Sequence, residues 1–151
     1  MLWVKTFFGI LFQTILLGIF LYLPALTLNW SDAFLLLTIH FLMTILASAY
    51  LLIVKPESIE ARMNYDSKTQ PKEDRLATAL MFSAIFVGLS LAPIDIFHLN
   101  LSSSFEGNIK NIGLAIYIIG MLLFMASINA NEFAETTVNI QEERGQKVID
   151  T

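Results

Sequence analysis

Few residues in this chain could take part in chemistry, and their placement narrows what that chemistry could be. His40 stands inside an uncharged run, Ala33 to Val54, and is the one side chain there that titrates near neutral pH. An ionisable group so deep in an apolar segment is a functional candidate by default. The commoner role is structural: a neutral imidazole hydrogen-bonded to a neighbouring helix. Asp95 follows Pro93 just beyond a second such run, where a carboxylate can stay hydrated at an interface. Gln13 and Thr14 are mildly polar points placed to bond across helices. Glu57, Glu60, Glu73 and Asp74 fall in one charged stretch, which reads by itself as a solvated connector. There are no cysteines, so disulfides, thiolate catalysis and cysteine metal sites are excluded. No catalytic residue and no metal-ligand set is expected among the 151 residues.

The elements that position these residues follow from composition. The hydrophobic fraction is 56%, with 15% charged residues. Typical soluble chains run nearer 45–50% apolar and roughly 25% charged. Mean hydropathy is +0.66. A water-soluble fold of this length could not hide that much apolar surface, whereas a bilayer acts as its solvent. Four uncharged runs stand out: Thr6 to Ser31, Ala33 to Val54, Leu76 to Ile94 and Asn111 to Asn131. Each is close to or above the ~20 residues that a ~30 Å hydrocarbon core requires. Backbone polar groups in lipid must pair within the segment, so these runs predict helices. No strand-like alternation suggests a barrel. A signal peptide would have a shorter apolar region, ~7–15 residues, and a small-x-small cleavage site. Leu21-Tyr22-Leu23-Pro24 is poor cleavage chemistry.

The expectation is an all-α polytopic membrane protein with four transmembrane helices and a short cytoplasmic C-terminal tail. The spans fall at about 6–28, 33–54, 76–95 and 111–130, within a membrane domain 1–131, and the tail is 132–151. Eight of the nine Lys and Arg residues flank one side: Lys5, Lys55, Arg62, Lys68, Lys72, Arg75, Arg144 and Lys147; only Lys110 falls on the other. The positive-inside rule places both termini in the cytoplasm, in what would be a bacterial inner membrane. Trp3, Trp30 and Tyr50 stand near span ends, where aromatic rings favour the interface. The net charge of −4, with no basic stripe, argues against nucleic acid as a partner. The bilayer itself is the first partner. Gly113 with Gly120, and Ala84 with Gly88, have the spacing of small residues that let helices approach closely, and helix packing within the bundle is the expected use.

Two strings outside the spans carry more. Lys55-Pro56-Glu57-Ser58-Ile59-Glu60-Ala61-Arg62 is followed by Asp74-Arg75. Pro56 can start a helix, and Glu57 and Glu60 suit its positive N-terminal end. Ile59 and Met63 are four apart and could dip into the interface. The second string is Asn131-Glu132-Phe133 with Val138-Asn139-Ile140-Gln141-Glu142-Glu143-Arg144-Gly145-Gln146-Lys147-Val148. In this order, around these spans, the strings resemble the bacterial isoprenylcysteine carboxyl methyltransferase family over essentially the whole chain.

That resemblance implies a multi-helix membrane enzyme. It would transfer a methyl group from S-adenosylmethionine to the carboxylate of a lipophilic, prenylcysteine-like substrate. It implies that Arg144, Gly145, Gln146, Lys147, Val148 and Ile149 line part of the cofactor pocket. The departures are specific. Gln146 stands where a His follows Arg-Gly in the family, and the Gly-Pro-Tyr turn and Arg-His-Pro-x-x-Tyr segment of the family do not occur before Thr151. The 151 residues therefore resemble the front portion of such an enzyme, and negligible methyl transfer is expected from them alone. A non-catalytic small membrane protein or partner subunit is the alternative. A transporter ranks below both, because the spans lack repeated charged residues and no internal repeat is seen.

Overall fold

A computed structural model describes residues 1–63, 72–101 and 108–130. Every regular element among them is helical: α1 (Leu2–Ala25), α2 (Ser31–Val54), α3 (Pro56–Met63), α4 (Lys72–Ile94), a π-helical turn (Asp95–Leu99) and α5 (Asn108–Ala130). Four of these helices are long and apolar enough to cross a membrane. At 24 residues, α1 and α2 are each ~36 Å long, which exceeds a ~30 Å hydrocarbon core. The helices run past the uncharged stretches: Lys5 lies inside α1, Lys72 and Arg75 inside α4, and Lys110 inside α5. Hydropathy marks where lipid must be met, whereas a long basic side chain can extend the helix and carry its charge to the interface.

The helices lie in the order α4–α1–α2–α5. α1 packs on both α2 and α4, while α5 packs chiefly on α2. The outward surface is apolar. Phe12, Leu23, Leu46, Ile53 and Phe34 are each about two-thirds exposed or more. In water such a surface would be an aggregation hazard; against lipid tails it costs nothing. This is the fold of an integral membrane protein with four spans.

One end of the layer holds the start of α1, the ends of α2 and α5, and all of α3. The opposite end is closed by turns. Pro24 lies in the last turn of α1, and Leu26 takes a left-handed conformation at φ 54°. The Tyr22 hydroxyl donates to the Trp30 carbonyl at 3.2 Å, which fixes the connection into α2. Past Pro93, the π turn widens the helix. The Asp95 carboxylate accepts from the Leu101 amide at 2.8 Å, and Asn100 adopts φ 50°, a conformation its side chain tolerates. Asp95 thus serves as a local cap at the helix end. His98 Nε2 donates to the Pro24 carbonyl at 2.7 Å, one of the acceptors that a helix C-terminus leaves unpaired. Because a carbonyl can only accept, that nitrogen carries the proton.

The contacts between α1 and α4 are aromatic and polar. Phe20 stacks on Phe86 with centroids 4.2 Å apart, and the Ser90 hydroxyl donates to the Phe20 carbonyl at 3.3 Å. The glycines behave differently from the expectation. A Cβ built at Gly88, Gly113 or Gly120 would meet no heavy atom within 4 Å, so these glycines do not bring helices of this bundle together. The half-buried side of α5 is the stripe Leu114, Tyr117, Ile118, Met121, Met125 and Ile128, and Gly113 and Gly120 lie off it. Ala84 and Gly88 are likewise exposed on α4. Only Gly18 on α1 faces a neighbour, Leu37 of α2, at 3.5 Å.

Replacing Gly113 and Gly120 with alanine should therefore be neutral or stabilising by about 0.5–1 kcal/mol per site, the helix-propensity gain with no steric cost. Reversible unfolding in mixed micelles checks this. A loss near 2 kcal/mol would show that the glycines are packed.

Candidate functional site

Polar groups within the layer concentrate on the α2–α5 seam. The two helices run parallel, and three side-chain contacts join them. At the turn end, Lys110 Nζ lies 2.6 Å from Asp32 Oδ2. In the middle, His40 Nδ1 and the Tyr117 hydroxyl are 2.6 Å apart. At the α3 end, Lys55 Nζ donates to the Asn129 carbonyl at 2.7 Å. The sequence separations of 78, 77 and 74 are nearly constant, as a parallel pair in fixed register requires. The Asp32–Lys110 pair is half exposed and contributes little to stability on its own. The other two are more shielded.

His40 is 7% exposed. At 1.5 Å per residue it lies about 14 Å along α2 from Ser31 and about 21 Å from Val54. The structure thus gives it the hydrogen bond to a neighbouring helix that its position favours. Its second ring nitrogen, Nε2, is buried without a hydrogen-bond partner. Tyr117 is the residue that sequence reasoning passed over. Its signal was an aromatic hydroxyl in mid-span rather than at a span end, where such rings ordinarily settle.

The α3 end is the second polar concentration. Lys55 caps α2, and Pro56 then starts α3, as the proline and the following glutamates predict. Ser58 and Ile59 are the buried residues of α3, at 4% and 8% exposure, while Glu57 and Glu60 face outward. Ile59 joins Leu51 and Leu52 in an apolar cluster, against which Leu2 and Ile128 pack. The Thr6 hydroxyl reaches the Met63 sulfur at 3.7 Å, tying α3 to α1. The short helix therefore lies across the ends of α1, α2 and α5. Two buried side-chain atoms here lack partners, Ser58 Oγ and Asn129 Oδ1. Lys55, Arg62 and Asn129 are half-buried around them. Neither Ser58 nor Asn129 stood out in the sequence, because their burial depends on α3 folding back across the bundle.

No group of His, Asp and Glu among the described residues is arranged to hold a metal ion. The residues assigned to the cofactor by resemblance, Arg144 to Ile149, lie outside the described residues, as does the rest of the tail. No family model, curated protein or solved structure matches this chain.

Converting Tyr117 to Phe should lose about 1 kcal/mol, within the ~0.6–1.7 kcal/mol measured for hydrogen bonds between membrane helices. His40→Leu combined with Tyr117→Phe should recover most of that loss, since no buried polar atom is then left unpaired. An unfolding cycle over the single and double variants tests both. Additive losses would mean that the pair is not coupled.

Proposed function

We propose that residues 1–151 form the membrane scaffold of an S-adenosylmethionine-dependent methyltransferase. It would act on the carboxylate of a lipophilic, prenylcysteine-like substrate, as the resemblance to the bacterial isoprenylcysteine carboxyl methyltransferase family implies. One observation supports this reading above others. The Lys55 ammonium bonds to Asn129, two residues before the Asn131 string begins. The two strings that carry the resemblance thus start beside each other at one end of the bundle, although 74 residues separate that pair.

The same end suits the arrival of a polar cofactor, because Lys55, Ser58, Arg62 and Asn129 gather there in place of an apolar plug. S-adenosylmethionine would supply an electrophilic methyl group on its sulfonium. The protein's task would be to align the acceptor carboxylate in line with that group and to exclude water. Residues 1–63 and 72–130 would provide the platform, and Arg144 to Ile149 the first cofactor contacts. The lipophilic acceptor would approach sideways through the bilayer. The reading places the α3 end in the cytoplasm, within a bacterial inner membrane, on the strength of the eight basic residues that flank that side.

A second reading, a non-catalytic subunit that binds another membrane protein, draws support from α5. That helix packs chiefly on one neighbour and exposes Gly113 and Gly120. Stable co-purification of one membrane protein with the chain would favour it.

Two measurements test the first reading. The purified chain should transfer negligible methyl from S-adenosylmethionine to a prenylcysteine analogue, since the reading assigns it the scaffold and not the reacting centre. Methyl ester formation would overturn that assignment. Cysteine introduced at Asn100 should react with an impermeant thiol reagent on intact cells, and cysteine at Glu57 only after the membrane is opened. The absence of native cysteine makes the background clean. The reverse labelling would put the cofactor site on the wrong side.

A further inference from the structure

The unpaired atoms at the α3 end specify a ligand by their chemistry. Asn129 Oδ1 can only accept, so it needs a donor. The Ser58 hydroxyl can donate, and it lies one helical turn before the Arg62 guanidinium, on the same face of α3. Lys55 adds a second cation beside Asn129. An acceptor-rich anion suits Ser58 and Arg62, and a cationic donor suits Asn129. One molecule offers both when an anionic group and an ammonium stand a few bonds apart.

Location chooses among such molecules. α3 starts two residues after α2 ends at Val54, and it lies across the span ends on an apolar floor of Leu51, Leu52, Ile59, Leu2 and Ile128. That is the depth of lipid headgroups. We propose that this end binds the headgroup of a zwitterionic phospholipid of the phosphatidylethanolamine type. Its phosphate accepts from the Ser58 hydroxyl and the Arg62 guanidinium, and its ammonium donates to Asn129 Oδ1. The lipid fastens α3 to the end of α5, a helix otherwise joined chiefly to α2. This inference stands on the geometry of the α3 end and does not depend on the methyl-transfer reading.

The experiment uses the full chain, stripped of lipid in detergent, with its thermal midpoint followed while lipid is added in mixed micelles. Phosphatidylethanolamine should raise the midpoint saturably, and phosphatidylglycerol of the same chain length should do so less. Ser58→Ala is the informative variant. Without lipid it should be neutral or slightly stabilising, because it removes a buried unpaired hydroxyl. With lipid it should weaken the apparent affinity about tenfold, as the loss of a hydrogen bond to a charged group implies. Asn129→Leu should weaken it similarly and abolish the preference for the ammonium headgroup. Native mass spectrometry should retain one phosphatidylethanolamine on the wild-type chain. Equal responses to the two lipids, or variants that respond as the wild type does, would overturn the proposal. Stabilisation by S-adenosylhomocysteine instead of lipid would also overturn it. That result would assign the same atoms to the amino-acid end of a soluble ligand and would strengthen the methyl-transfer reading.

Discussion

Lipid tails are as apolar as leucine, so burying one helix against another gains little from the hydrophobic effect, and the few polar contacts between helices decide how they pair. This protein depends on that constraint most visibly at α5. With no residue of that helix fully buried, its attachment to the rest of the chain rests on the seam with α2. Three contacts mark the seam, and the central one joins a histidine to a tyrosine at mid-span. The mid-span bond is the one least exposed to competition from water and salt. Its cost is a second imidazole nitrogen without a partner.

The same constraint accounts for the difference between the two faces of the layer. Where helices meet, the contacts are specific: a stacked pair of phenylalanines, a serine hydroxyl on a carbonyl, a glycine against a leucine. Where helices face lipid, large apolar side chains and bare glycines are equally admissible, because nothing packs against them. A small-xxx-small spacing is therefore ambiguous in a membrane helix. It permits close approach without requiring it, and in α4 and α5 the permission is not used within this bundle.

The short helix α3 links the membrane layer to the site. A solvated connector would leave the ends of α1, α2 and α5 independent of one another. Instead, Ser58 and Ile59 are drawn inward, Met63 meets Thr6, and Lys55 reaches the last turn of α5. The ends of three spans become one polar floor, and that floor is where the two strings of the family resemblance begin side by side. A ligand carrying both charge signs has complementary groups there, whether it comes from the membrane or from solution.

What the sequence determined by itself was the solvent and the framework. Long uncharged runs can satisfy their backbone in lipid only as helices, so four spans were legible from composition, and the asymmetry of lysine and arginine implied an orientation. Pro56 marked the start of α3 because its missing amide is harmless at a helix start. His40 was legible as a buried imidazole in search of a partner. The partner was not. Tyr117 is 77 positions away, and only the parallel register of α2 and α5 brings its hydroxyl to the ring. The helix neighbours, the outward turn of the glycines, and the burial of Ser58 and Asn129 were likewise decided by tertiary structure. Spacing along one helix tells which residues share a face, but which face meets a neighbour depends on contacts between segments far apart in the chain.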